Sequence, residues 1–104
     1  MLKSKRSRAC DIPQAVKREV WIRDNQRCVL CGSRYAAPNA HFVSRARGGL
    51  GVARNVVTLC LDCHTRYDQS TERKAIREYL KKYLQSKYAD WNEEALYYKR
   101  WRND

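Results

Sequence analysis

A chain of 104 residues with 22 Lys and Arg against 11 Asp and Glu, a formal net charge of +11, has room for one small domain and a bias toward polyanionic partners. No apolar run approaches the roughly 20 residues that a membrane span needs, and the opening MLKSKRSRACDIP lacks the apolar segment of a secretory leader. The expectation is a soluble, cytoplasmic protein whose thiols stay reduced, facing nucleic acid more naturally than a membrane, although charge alone is also compatible with anionic lipid or RNA.

Residues 1–10 carry Lys3, Lys5, Arg6 and Arg8 with almost nothing apolar, which reads as a flexible basic arm, either laid along phosphates or simply solvated. Asp11, Ile12 and Pro13 then signal a helix start, with Asp11 as the cap, for a helix over 11–25. Its stripe is Ile12, Val16 and Val20, with Trp21 beside it, read as core in preference to a ring that stacks on DNA. Asp24-Asn25-Gln26 ends that helix and delivers Cys28. Gly32 and Ser33 make a turn, and short strands are predicted near 40–43 and 56–59, the second on the β-branched Val56-Val57-Thr58-Leu59. Between them, Ser44 to Gly51 reads as a loop carrying Arg45, Arg47 and three glycines. Cys60 to Cys63 opens a helix that runs to about Gln69. Ser70 or Thr71 caps the next helix, whose Ala75, Ile76, Tyr79, Leu80, Tyr83 and Leu84 recur at three and four spacing. Asp90 with Glu93 suggests a capping box for a last helix containing Ala95, Leu96 and Tyr98. Tyr97, Tyr98 and Trp101, interleaved with Lys99, Arg100 and Arg102, either pack on the domain or stack on nucleic acid.

Cys28-x-x-Cys31 and Cys60-x-x-Cys63 form two C-x2-C pairs. Zinc takes four soft ligands without geometric demands, and each such pair places two thiolates on one tight knuckle, so a structural tetrahedral zinc site is expected. Two disulfides or buried unliganded thiols are the alternatives. A metal staple also suits a domain too small to be stabilised by its core alone. Cys10 lies outside both knuckles and reads as an ordinary reduced thiol.

The order Cys28, Cys31, His41, Gly48, Gly49, Asn55, Leu59, Cys60, Cys63, His64 resembles the HNH endonuclease family, whose pattern is a C-x2-C knuckle, a D-H or H-H pair, a G-G turn, an Asn and L-C-x2-C-H. The resemblance spans residues 28–64. It implies an α+β fold: a small zinc-stapled ββα-metal core over 28–69, flanked by an N-terminal helix (11–25) and C-terminal helices (70–104), all one domain over 11–104. It also implies a metal-dependent endonuclease that hydrolyses DNA phosphodiester bonds. His41, with an ordinary pKa near ~6.5, suits the general base, and His64 the seat of a divalent cation. The resemblance gives Asn55 a supporting role, its amide joining loop backbone or orienting His41.

One departure matters. The residue before the base is usually an Asp or His that binds the catalytic metal, and here it is Ala40. Asp68, four residues beyond His64 on one helix face, is the candidate replacement. One His and one carboxylate leave the cation largely hydrated, which suits Mg²⁺ or Mn²⁺ better than a second zinc. Arg45, Arg47 and Arg54 are candidates for gripping phosphates. By analogy, stand-alone members of this size resemble phage-borne proteins linked to genome packaging, acting in a bacterial host's cytoplasm, with monomer and homodimer both open. The competing readings are a non-catalytic zinc module that binds nucleic acid, with Ala40 marking lost catalysis, and a zinc finger for an acidic protein.

Overall fold

The computed structural model describes residues 3–99, and the chain order of its elements is α1 (Lys5–Cys10), α2 (Gln14–Arg23), β1 (Ala36–His41), β2 (Val56–Cys60), α3 (Leu61–Gln69) and α4 (Arg73–Lys87), with short 3-10 turns at Arg45–Arg47, Ala53–Asn55 and Glu93–Leu96. β1 and β2 pair antiparallel, His41 opposite Val56 and Ala36 opposite Cys60. α3 follows β2 without a break, so strand, strand and helix form one unit. The small α+β fold expected from sequence is therefore present. Among the described residues, no helix is long and apolar enough to cross a membrane.

β2 is buried at all five positions, as a β-branched run allows when both faces are covered. β1 begins four residues earlier than the sequence suggests. Ala36 and Ala37 already pair with Cys60 and Leu59, and the ladder then slips between Ala37 and Ala40. Pro38 sits in that irregularity, where its missing N–H interrupts no regular pairing. Leu80 and Leu84 of α4 join Phe42, Leu59, Tyr67 and Leu96 in one core. Trp91 meets the Phe42 ring edge-on, with centroids 5.5 Å apart.

Several local expectations are corrected. Residues 5–10 form helix α1, capped by Ser4, instead of a flexible arm. The helix is held from outside. Cys10 is buried, the Gly51 N–H donates to the Ala9 carbonyl, and Arg6 donates to the carbonyl of Ala46. Asp11 ends α1 and pairs with Lys3 and Arg45, so it does not cap α2, which starts at Gln14 after Pro13. Neither Ser70 nor Thr71 caps α4; Ser70 Oγ accepts from Glu72 N–H, one turn ahead of it. The last helix is only a 3-10 turn capped by Asn92, because Asp90 is engaged by Arg54. In the C-terminal tail, Tyr97 bridges Gly49 and the Tyr98 N–H donates to the Gly48 carbonyl, so both tyrosines line up along the glycine turn. Trp101, Arg100 and Arg102 lie outside the described residues.

Arg23 and Asp24 tie the layers together. Asp24 is buried; its carboxylate takes Arg23 at 2.7 Å, the Thr58 N–H at 2.8 Å and the Tyr83 hydroxyl. Arg23 also donates to the carbonyls of Ala53 and Val56. One paired charge thus fixes the end of α2 to the start and the middle of β2.

Candidate functional site

Two clusters occupy opposite roles on the strand, strand, helix unit. The first is the four cysteines. Cys28 and Cys31 come from the loop before β1, Cys60 ends β2 and caps α3, and Cys63 lies in the first turn of α3. Their sulfurs all fall within 4.8 Å of one another, and Cys31 and Cys60 are 3.6 Å apart with no disulfide formed. Tetrahedral bonds of about 2.3 Å put sulfurs about 3.8 Å apart, so the set is shaped for a metal ion. With no cation, burial pushes the Cys63 thiol up to about 12. Burial also raises Cys28, but the backbone amides of Cys31, Cys60 and Leu30 outweigh it and leave that thiol at about 7. Metal binding must therefore displace protons, and affinity falls as the solution is acidified.

The second cluster is a cleft of about 370 Å³ lined by Asn39, His41, Arg45, His64, Asp68 and Arg73, with Ser44 and Tyr67 behind them. His41 ends β1 and His64 follows Cys63 on α3, so the cysteine cluster and the cleft share a helix. His41 Nε2 lies 2.8 Å from the Cys10 carbonyl oxygen. A carbonyl only accepts, so in the neutral ring Nε2 carries the proton and Nδ1 keeps the lone pair. Burial lowers the His41 pKa below its ordinary value, and the charges of Arg45 and His64 add to that, against the opposing Cys10 bond. His64 Nε2 and Asp68 Oδ2 are 3.5 Å apart across one helical turn, so an imidazole and a carboxylate face the same space, a donor pair suited to a divalent cation.

Asn55 is fully buried and does not reach the cleft. Its Oδ1 accepts from Val43 N–H at 2.7 Å, and its Nδ2 donates to the carbonyls of Leu50 and Val43. It staples the loop between the strands, the backbone alternative of the two foreseen for it. The glycine pair belongs to the same staple. Gly48 has φ +86, and a side chain at Gly49 would sit 1.8 Å from the Val43 carbonyl oxygen.

The arginines divide. Arg45 lines the cleft while holding Asp11 at 2.6 Å. Arg54 does not belong to it: it pairs with Asp90 and lies over the Tyr88 ring. Arg47 is exposed and outside the lining. Arg73 and Asn39 were missed by the sequence reading and are present. Asn39 shares the face of β1 with His41, a period-two relation readable from sequence, whereas Ala40 is fully buried and faces the core. Arg73 carried no local signal; it reaches the cleft because α4 turns back over α3, donating to the Tyr67 carbonyl. Tyr67 in turn donates to the Phe42 carbonyl at 2.7 Å, which locks α3 to the residue after His41.

Fold and site together define a small α+β protein with a cluster of four cysteines that could hold a metal ion, beside a basic cleft that holds two histidines. No family model, curated protein or solved structure matches this chain.

Proposed function

We propose that the protein is a metal-dependent endonuclease of the HNH type, hydrolysing DNA phosphodiester bonds, with zinc in the four-cysteine cluster. The observation that carries this reading is the His41 ring: one nitrogen is held by a backbone carbonyl, the other keeps its lone pair, and the ring shares a cleft with the His64 and Asp68 donor pair. His41 Nδ1 takes a proton from a water, whose oxygen attacks phosphorus as the bond to the 3′ oxygen breaks. His64 and Asp68 would hold a divalent cation, whose chemistry when bound would be to neutralise the charge that builds up on the phosphate. Arg45 and Arg73 hold the phosphate on the flanks, and the departing oxygen is protonated by solvent. Asn55 and the glycine turn hold the loop that bears Arg45. Cys60 and Cys63, which would share the zinc with Cys28 and Cys31, stand at the start of α3 and so would fix where His64 stands.

A second reading, a zinc module that binds nucleic acid without cutting it, draws on Ala40: its side chain is in the core and offers no ligand. Incubating supercoiled plasmid with the protein and Mg²⁺, Mn²⁺ or Ni²⁺ separates the two. The nuclease yields nicked or linear product that depends on the added metal. Intact plasmid in every metal, with a gel shift retained, would leave the binding module.

A further inference from the structure

A second hollow, of about 600 Å³, adjoins the histidine cleft where α2, β1 and the start of α3 meet. Asn39 and His64 line both. Its own walls are Trp21, Tyr35, Leu61 and Arg34. A third hollow continues from Trp21 to Lys17 and Arg18 on α2. The three make one track, with cations at each end and aromatic surface between. Among the described residues, no carboxylate lines the second or third hollow.

Tyr35 is 93% exposed and Leu61 82%, so neither side chain serves the core. The Tyr35 backbone is nonetheless pinned, its N–H donating to Ser33 Oγ at 3.1 Å. A solvent-facing aromatic ring on a hydrogen-bonded turn, beside a half-buried indole and flanking cations, matches the chemistry of bases strung on phosphates. A base inside a duplex has both faces covered by its neighbours and cannot stack on protein.

We infer that this track receives an unpaired DNA strand, whose bases stack on Tyr35 and Trp21 while its phosphates meet Arg34, Lys17 and Arg18. Which phosphate lies between His41 and His64 rests on the nuclease reading; the strand track itself does not. The substrate class is then single-stranded or locally opened DNA, with the track holding the strand on one side of the scissile bond.

The test is fluorescence anisotropy with a labelled oligothymidylate and a duplex of equal length, without added divalent cation. Wild type binds the single strand more tightly than the duplex. Tyr35→Ala weakens single-strand binding by roughly 5- to 150-fold, the range for losing one stacked base, while metal content and duplex affinity stay as in wild type. Replacing Lys17 and Arg18 by Ala lowers the dependence of log affinity on log salt by about 0.7 per lost phosphate contact. Equal or tighter duplex binding, or a Tyr35→Ala protein that binds the oligothymidylate like wild type, overturns the inference. Plasmid left intact in every metal, with this binding pattern preserved, would defeat the nuclease reading and leave the strand track standing.

Discussion

His41 is oriented by a neutral carbonyl, not by a carboxylate, and in the proposed mechanism that sets the pH range in which it would act. Burial, reinforced by Arg45 and His64, holds its pKa below the ordinary ~6.5, so the ring is already neutral at neutral pH and can accept a proton. Cleavage should climb with pH on the acid side, level off before neutrality, and do so with a midpoint below ~6.5. Arg45→Ala removes a cation that lowers this pKa, so the midpoint should move up; a pH and rate profile of both proteins checks it. The sign for stability follows from the same shift. Protonation favours the unfolded chain, so the stability tied to this ring is complete above its unfolded pKa and is lost as pH falls through the lower folded value. Asp24 makes a second residue-level prediction. Asp24→Ala strands the Arg23 guanidinium and the Thr58 N–H, and urea melting should show a loss of about 3–5 kcal/mol. The two kinds of residue differed in legibility. Cysteines and histidines declare themselves by spacing, because the chemistry needs those types in that order. Arg23-Asp24 looks like solvated charge at a helix end, and only the packing of β2 and Tyr83 over it turns it into a buried hub.

At the level of elements, α3 carries most of the site, and it was readable: a C-x2-C knuckle that caps and opens a helix leaves little freedom in where Cys63, His64 and Asp68 point. α1 was not readable. Six residues with four of them Lys, Arg or Ser present no apolar stripe, and a helix of that length is unstable alone. It forms because Cys10 is buried and Gly51 and Arg6 bind it to the loop between the strands. The Gly51 contact is close: a Cβ there would lie 1.9 Å from the Asp11 carbonyl oxygen. This helix supplies the carbonyl that holds His41, so in the proposed mechanism an apparently dispensable basic tail would position the base. Deleting residues 1–10 should slow cleavage on the order of 10- to 100-fold, the usual cost of losing a group that orients a site histidine, with zinc content unchanged. A deletion that cleaves at the wild-type rate would detach α1 from the site.

For the whole molecule, two segments far apart in sequence bring four cysteines together where they could hold one metal ion, and the core of a 104-residue chain has little stability to spare. Metal analysis should find one zinc per chain. Stripping it, or replacing Cys63 by Ser, should abolish the cooperative melt, since structural zinc contributes on the order of 10 kcal/mol or more in small domains. A chain without zinc that melts like the holoprotein would contradict this. The net charge of +11 suits a polyanionic partner without placing one; the cleft and the aromatic track emerge only when α2, β1, α3 and α4 are brought together. The proposed nuclease depends above all on His41 making the nucleophile in the cleft beside α3. Nicking of supercoiled plasmid under excess enzyme, by wild type and by His41→Ala with equal zinc content, tests it most directly. Metal-dependent nicking by wild type and a rate at least about 100-fold lower in the variant is the predicted result; equal rates in the two proteins would contradict it.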